Sequence, residues 1–362
     1  MPTFYIDETG FSGEDLLSKE QPLFVQATNN LTASEATAMV DDIFSRVKTS
    51  ELKYKQLIRG GRYEDRIVEC IGRLASDPTR AGVWLAHKQF AMVTLIVEWW
   101  MEPLAHQHKL NLYQDGANHA TANMLFACLE GFWNAEFRYK LLLSFQRMFR
   151  SRLSTRFNEC EMFISRERSK VDGDRAEILR YLWPSFALLG FAHVRNLPKH
   201  VLDLSLPGLA VIGHHWRTMD AGPWEAVYDD SSIMAKQAHL WEAMSSPRVA
   251  SATFVGPRYE QIFPMNVTTT RFAKSEHERQ IQLCDILAGA AATGLSAYAE
   301  NKVTPFAERL IAAGIEKLVI GGMWPSLDVT PEALGRKGWD GSIAIDWLGE
   351  QIAKQRANPN DT

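Results

Sequence analysis

The chain has 362 residues, of which 46% are hydrophobic and 23% are charged, a balance typical of a folded globular protein rather than a disordered one. Its 39 Lys and Arg residues against 43 Asp and Glu residues exclude a globally basic coat protein for nucleic acids, although they allow a local basic patch. The four cysteines form no CxxC pair, so we expect no zinc cage, no disulfide framework and a reducing, cytoplasmic location.

The first 89 residues alternate between strand and helix signals. Short β-prone or alternating runs predict four strands, at residues 3–6, 23–28, 51–57 and 82–86. Helices are predicted between them, one from Thr32 or Ser34 to about Lys48 and one from Tyr63 to Ser76. Strands separated by helices indicate a mixed α/β layer.

The pattern changes at about residue 90. Residues 90–222 are mainly helical in pattern and rich in aromatic residues, so we interpret them as a large helical insertion. The α/β rhythm returns in residues 223–300, where strands are predicted at 224–228 and 266–272 and helices from Ser231 or Ser232 to about Met244 and from His277 to Tyr298. Residues 301–362 form a short C-terminal extension with one more helix and a Gly-Gly break. The sequence has neither a signal-peptide pattern nor an apolar run of bilayer length, so we expect no membrane partner.

Acidic residues stand at positions where solubility alone does not require them. Asp7 ends the first apolar strand, Glu51 opens the third, and Asp229 and Asp230 follow the strand WEAVY. Asp285 lies within an otherwise apolar helix. An ionised carboxylate among apolar residues is costly unless it is paired or binds a cation.

Metal-assisted phosphodiester hydrolysis requires carboxylates that converge from separate elements, because Mg²⁺ prefers carboxylate oxygens. Of two bound ions, one can activate the attacking water while the other stabilises the leaving oxygen.

Other interpretations stay open for single residues. Asp230 precedes a predicted helix and is equally compatible with a turn or an N-cap. Glu51 is also compatible with a solvated charge at a strand edge.

Two short motifs carry a family resemblance. The opening FYIDETGFSG resembles the Tyr-Ile-Asp-Glu-Ser-Gly start of the domain-of-unknown-function 3800 family, and IQLCDILAGA resembles its later helix, Gln-x-Ala-Asp-x-x-Ala-Gly. Thr9 and Cys284 replace a serine and an alanine of those motifs. The resemblance covers residues 1–89 and 223–300 and implies a ribonuclease-H-like mixed sheet flanked by helices. Glu8, next to Asp7, is expected to point to the opposite face of the strand.

The resemblance also implies a site. Asp7 matches the first-strand aspartate of ribonuclease-H-like nucleases, Asp285 matches the aspartate of the last helix, and either Asp229 or Asp230 matches the acid after the internal strand. Asp7, Asp229 and Asp285 are the expected ligands of Mg²⁺ or Mn²⁺. Glu51 is a further catalytic candidate.

Basic residues are candidates for contact with nucleic acid. Lys53 or Lys55, beside Glu51 in the sequence, could stand at a scissile phosphate. Within the insertion, a stretch of six Lys or Arg residues without Asp or Glu includes Arg147, Arg150 and Arg152, and aromatic residues are interleaved with it. The alternative for this stretch is an amphipathic helix whose aromatic side chains face the core.

The sequence thus predicts a metal-dependent nuclease that hydrolyses RNA or DNA by a two-metal mechanism. The resemblance places such proteins in bacterial or phage conflict, which includes antiviral defence. The alternative is a catalytically degenerate subunit that binds nucleic acid or serves assembly. A protein partner or a homo-oligomer is compatible with both.

Overall fold

A six-stranded mixed sheet with helices on both faces forms the centre of the computed structural model. The structure describes residues 1–10, 14–47, 49, 51–230, 232–255, 260–300, 303–326, 328, 337–338 and 340–357. The strands are β1 (Thr3–Thr9), β2 (Leu23–Asn29), β3 (Ala81–His87), β4 (Trp224–Asp229), β5 (Ala252–Val255), β6 (Glu260–Phe263), β7 (Val267–Ala273) and β8 (Val319–Met323). Strands β5 and β6 pair only with each other, as a separate antiparallel ribbon.

The sheet has the order β7-β4-β1-β2-β3-β8, with β1 near its middle. Strand β1 is parallel to β4 and antiparallel to β2, while β7 is parallel to β4 and β8 is parallel to β3. Every strand of the sheet except β2 therefore points the same way. Their carboxyl ends meet at one edge, which is the usual place for functional residues in sheets of this kind.

Helices account for most of the remaining described residues. Those next to the first three strands are α1 (Ala33–Ile43), α2 (Tyr54–Leu57) and α3 (Glu64–Ser76). Those between β3 and β4 are α4 (Lys88–Ile96), α5 (Glu102–Gln107), α6 (Ala117–Phe132), α7 (Ala135–Ser151), α8 (Ser154–Arg168), α9 (Gly173–Leu182), α10 (Pro184–Leu188), α11 (Gly190–Asn196) and α12 (Ser205–Met219). The later ones are α13 (Ser232–Ser245), α14 (Arg279–Glu300), α15 (Pro305–Ala312) and α16 (Ser342–Ala357). No helix in the described part of the chain is both long enough and apolar enough to cross a membrane.

The alternation along β1 divides the molecule into two cores. Phe4 and Ile6 face the core that contains the helices between β3 and β4, whereas Tyr5 faces the core built on α1, α3 and α14. Side chains of a strand alternate between faces, so Asp7 lies on the α14 side and Glu8 on the other. Glu8 indeed accepts a hydrogen bond from the Tyr228 hydroxyl on that other face, which confirms the predicted orientation.

Three predictions for single segments were wrong. The C-terminal extension holds two helices, α15 and α16, and strand β8 of the central sheet, where one more helix was predicted. Residues 51–57 form no strand: the chain is irregular up to Lys53 and then turns into α2, because its backbone N–H groups bond to side chains of α14 instead of a neighbouring strand. Gly321 and Gly322 do not break the chain but lie within β8. A Cβ at Gly322 would stand 2.5 Å from the Leu85 carbonyl oxygen, so these glycines permit the close approach of β8 to β3.

The ends of predicted helices differ by a few residues. Of the two predicted caps, Thr32 and Ser34, Thr32 caps α1, in a capping box with Glu35, and α1 ends at Ile43. Two further predicted helix ends, Lys48 and Ser231, lie outside the described residues.

Candidate active site

The first two acids meet through the pairing of β1 with β4. Ile6 is in register with Tyr228, and the same register carried one residue further sets Asp7 beside Asp229. Asp230 is exposed, and its backbone N–H bonds to the Ala273 carbonyl at 3.0 Å. Of the two acids that the sequence left as alternatives, the structure therefore brings Asp229 to Asp7.

Helix α14 brings the third acid to the same place. The Asn29 amide, at the end of β2, donates to the Gln280 carbonyl at 2.9 Å and to the Cys284 sulfur at 3.0 Å. The Cys284 thiol in turn lies 3.4 Å from the Tyr5 carbonyl of β1. These contacts fix α14 against the sheet, and Asp285 follows directly at the edge where Asp7 stands.

The segment 51–54 is attached to α14 by two hydrogen bonds from its backbone. The Leu52 N–H donates to Gln282 Oε1 at 3.2 Å, and the Tyr54 N–H donates to Asp285 Oδ2 at 2.5 Å. The Tyr54 ring lies on Gly289, where an added Cβ would come within 2.2 Å of it. Gln282, Asp285 and Gly289, spaced as Gln-x-x-Asp-x-x-x-Gly, thus all contact this segment.

Lys53 extends from that segment into the group of acids. Its ammonium donates to the Ser275 hydroxyl at 2.9 Å and lies 3.3 Å from Glu51 Oε1 and 3.6 Å from Asp229 Oδ2. Ser275 completes the arrangement, because its hydroxyl donates to Glu51 and its N–H donates to Asp229 Oδ1 at 3.2 Å. We call Asp7, Glu51, Asp229 and Asp285, together with Lys53, the acidic cluster.

Asp7 has the most unusual environment of the cluster. It is only 5% exposed, and its Oδ1 accepts the Glu8 N–H at 2.7 Å, while Oδ2 is buried without a hydrogen-bond partner among the described residues. Burial, together with the negative charges of Asp285 and Asp229, raises the pKa of Asp7 well above its ordinary value. A buried carboxylate oxygen without a partner is costly, and a bound cation would offset that cost.

Burial and neighbouring charges also shift the pKa values of the other members of the cluster. Burial also raises the pKa of Asp285, although the Tyr54 N–H opposes this shift. Burial lowers the pKa of Lys53, but the charges of Asp7, Asp229 and the other acids outweigh it, so the net shift is upward. The hydrogen bond from Ser275 lowers the pKa of Glu51. Lys53 and Glu51 are therefore charged at neutral pH.

The donor set matches a hard divalent cation. All four acids offer carboxylate oxygens, the ligands that Mg²⁺ and Mn²⁺ prefer, and the buried Oδ2 of Asp7, which has no hydrogen-bond partner among the described residues, could bind such a cation. Among the residues that the structure describes, no three potential ligands already have the spacing of a finished metal centre. The Lys53 ammonium stands between two of the carboxylates instead.

The predicted basic contacts fall in two different places. Lys55 is exposed and lines a cavity of about 410 Å³ that begins at Tyr54, next to the cluster. The arginines of α7 lie on the opposite side of the sheet, in the layer that packs on α4. Arg147 is exposed, Arg150 pairs with Glu14 at 3.8 Å, and Arg152 donates to the Leu197 carbonyl at 3.3 Å.

Two residues of the site were not singled out from the sequence. Ser275 joins Glu51 to Asp229, and Gln282 bonds to Leu52 while its amide donates to the Ser275 carbonyl at 2.7 Å. The sequence could have indicated Gln282, because it is the first residue of the later motif. Nothing in the sequence indicates Ser275, since only the fold brings it to Glu51.

No protein-family model, curated protein or solved structure matches this chain significantly. The resemblance in the two short motifs therefore stays a prediction. What the fold and the site define is an α/β protein with a cluster of carboxylates at the carboxyl edge of a mixed sheet.

Proposed function

We propose that this protein is a Mg²⁺- or Mn²⁺-dependent nuclease that hydrolyses phosphodiester bonds of RNA or DNA on a ribonuclease-H-like core. The observation that carries the proposal is the gathering of carboxylates from β1, β4, α14 and the 51–54 segment at one edge of the sheet, with a buried oxygen of Asp7 that has no described partner. Its setting in bacterial or phage conflict, including antiviral defence in the cytoplasm, rests on the motif resemblance alone.

Asp7, Asp229 and Asp285 would hold the metal ions, with Glu51 as a further ligand. When bound, such ions supply activation of the attacking water and stabilisation of the leaving oxygen. The choice of Asp229 over Asp230 follows from its contacts with Lys53 and Ser275.

Lys53, Gln282 and Ser275 also prepare the site for the substrate. The Lys53 side chain is 28% exposed, and its ammonium can pair with a phosphate oxygen of the substrate. Gln282 and Ser275 hold the segment that carries Glu51 and Lys53 in place before any substrate arrives.

Cleavage of labelled strands tests the proposal. The protein is incubated with Mn²⁺ and RNA, DNA or hybrid substrates, and Asp7→Asn and Asp285→Asn are compared with Asp230→Asn, an exposed neighbour that serves as control. We expect cleavage by the wild type and by Asp230→Asn only. Full activity of Asp7→Asn or Asp285→Asn would remove that residue from the mechanism.

A second candidate is a degenerate subunit that binds nucleic acid or another protein without cleaving. The contacts of Lys53 with Glu51 and Asp229 favour it, because an internal ammonium can neutralise the acids in place of a metal ion. This candidate predicts strand binding by the wild type and by Asp7→Asn alike, and no cleavage at any Mn²⁺ concentration.

A further inference from the structure

A largely apolar groove lies among the helices that pack on the face of the sheet opposite to α14. It has a volume of about 610 Å³, and its walls come from α5, α6 and α9. Leu125 and Ile178 of its lining are buried. Leu110, Met124 and Tyr181, in contrast, stand exposed around it. Exposed apolar side chains that gather in one place, rather than lie scattered, mark a surface for binding.

The spacing of the lining residues fits a helix as the occupant. Each of the three walls contributes residues at positions i, i+3, i+4 and i+7, which share one face of a helix. In α6 these are Thr121, Met124, Leu125 and Cys128, and in α9 they are Asp174, Glu177, Ile178 and Tyr181. The helical segment that includes α5 contributes residues from Met101 to His108 at the same spacing. An amphipathic helix laid along the groove would therefore pack as the fourth member of a bundle.

The groove has room for about three turns of such a helix. Phe132 extends the stripe of α6, and it lies eleven residues after Thr121, which is about 16 Å along the helix axis. Helices that bind in grooves are recognised by apolar side chains at i, i+3, i+4 and i+7. A stretch of three turns supplies this set once.

Acidic residues determine the charge that suits the occupant. Asp174, in the first turn of α9, and Glu177 both line the groove, where His108 is the one basic residue of the described lining. Glu177 is paired with Arg180, but Asp174 forms no ion pair with another described residue. Burial and the charge of Asp174 raise the pKa of the Cys128 thiol, so this carboxylate acts across the groove on α6. A lysine or arginine of the occupant would complement it.

We infer that this groove binds an amphipathic helix of a partner protein, with an apolar face toward Leu125 and Ile178 and a lysine or arginine beside Asp174. Covering Met124 and Tyr181 removes apolar surface from water, which drives the association. The inference goes beyond the proposed nuclease function, since the groove and the acidic cluster lie on different faces of the sheet. Its test needs neither metal ion nor nucleic acid.

The test is fluorescence anisotropy of the full chain with a labelled peptide of about fourteen residues, or about four turns. The first peptide has leucines at i, i+3, i+4 and i+7 and lysines beside that face, and a lactam bridge on the opposite face fixes its helix. A second peptide has the same composition with the leucines spread around the helix, and a third has glutamates in place of the lysines. We expect the first to bind at least about tenfold more tightly than the second and about threefold more tightly than the third. Asp174→Asn should remove the preference over the third.

Substitutions in the groove test where the peptide binds. Met124→Glu and Tyr181→Glu each place a charge in the groove, from two different helices, and should weaken binding of the first peptide by at least about tenfold. Met162→Glu is the matched control, because Met162 on α8 is 63% exposed, as Met124 is 51% exposed, and lies outside the groove. Thermal unfolding checks each variant. If one of the two groove variants fails to fold, the other still tests the inference.

A second measurement locates the bound peptide without any substitution. Cys128 is partly exposed in the wall of the groove, whereas Cys70, Cys160 and Cys284 are buried. A chromogenic disulfide reagent should therefore react first with Cys128. The rate of this reaction should fall as the first peptide saturates the protein, and an unchanged rate with bound peptide would contradict binding in the groove.

The remaining outcomes distinguish other occupants. No binding by the wild type, equal binding of the first and second peptides, or equal losses in Met124→Glu and Met162→Glu would overturn the inference. Self-association of the wild type in sedimentation that Met124→Glu abolishes would make a second copy of this chain the occupant instead. Binding of an apolar dye without binding of the first peptide would identify a small-molecule pocket. The cleavage assay of the nuclease proposal is decided separately from all of these.

Discussion

The acidic cluster and helix α7 distribute charge in opposite ways. The acids of the cluster are far apart in the chain, yet the fold gathers them with a single ammonium among them. The six cations of the α7 region are neighbours in the chain, yet the fold disperses them: Lys140 pairs with Glu136 at 2.5 Å, Arg156 with Glu159 at 2.5 Å and Arg138 with Glu130. Only the first arrangement concentrates charge of one sign.

Two of the aromatic residues interleaved with these cations point into the core. Phe145 and Phe149 of α7 are buried in the core, where both contact Trp100. Their interleaving with arginines therefore reflects an amphipathic helix. Density of like charge along a sequence is a weaker indication of a binding site than burial of charge at a sheet edge.

The largest expected effect comes from the centre of the acidic cluster. Asp7→Asn replaces a proposed metal ligand and should lower Mn²⁺-dependent cleavage by about a thousandfold or more. The same change removes a buried negative charge, so its metal-free unfolding temperature should rise above that of the wild type. Both are measured on one preparation, by cleavage and by thermal unfolding in EDTA. A variant that loses cleavage and also unfolds earlier would show that the loss reflects damage to the fold.

The next effect concerns Glu8, the acid on the opposite face of β1. Burial raises the pKa of Glu8 from 4.5 to about 7, although hydrogen bonds from Tyr228 and Gln26 oppose this. The folded protein thus holds this proton more tightly than the unfolded chain, and its stability falls as the pH rises from about 4.5 to about 7. Glu8→Gln should remove this loss and gain up to about 3 kcal/mol at neutral pH.

Urea unfolding at several pH values measures the Glu8 effect. Glu20→Gln is the control, since Glu20 is exposed and should leave the pH profile unchanged. If the profile of Glu8→Gln also follows that of the wild type, the buried carboxyl is not the source of the slope.

A smaller effect is expected where α14 meets Tyr54. Gly289→Ala forces a methyl group onto the Tyr54 ring and should lower stability by about 1–3 kcal/mol. It should also reduce cleavage, because the Tyr54 N–H is bonded to Asp285. Gly72→Ala in α3 is the matched control: no other group lies within 4 Å of its added methyl, and it should gain up to about 1 kcal/mol. Denaturant midpoints compare the two, and equal shifts would contradict the close contact.

The smallest effect is expected for the arginines at the C-terminal end of α7. Simultaneous charge reversal of Arg147, Arg150 and Arg152 should weaken single-strand binding by about threefold or less, because only long-range charge is lost. Fluorescence anisotropy with a labelled single strand at two salt concentrations measures it beside the wild type. A larger loss would restore α7 as the nucleic-acid face and break the contrast drawn above.

Local patterns predicted much of the fold. The four strands that carry or flank Asp7 and Asp229, the helices between them and the long helix of Asp285 follow from periodicity and caps, which depend on neighbours in the chain. Residues 51–57 were misread because alternation marks a segment with two different faces but does not say whether a strand lies beside it to complete a ladder. The Gly-Gly pair of β8 was misread because the tight approach to Leu85 is a tertiary contact.

Prediction of the site residues succeeded and failed for similar reasons. Asp7 and Asp285 stand out because their neighbours are apolar, and the structure brings them to one edge, where each contributes to the field on the other. The choice between Asp229 and Asp230 depended on which side chain the end of β4 turns toward Ser275. Ser275 itself has no local pattern, since the two acids that it joins lie far away in sequence, Glu51 at 224 residues and Asp229 at 46 residues.

Helix α14 carries Gln282, Asp285 and Gly289 at intervals of three and four residues, so all three lie on one stripe of its surface. One residue inserted between Gln282 and Asp285 would rotate the two apart by about 100° around the helix, so that they could no longer both hold the 51–54 segment. Side chains along this helix can be exchanged one at a time, whereas the intervals between the three residues cannot change without separating these contacts.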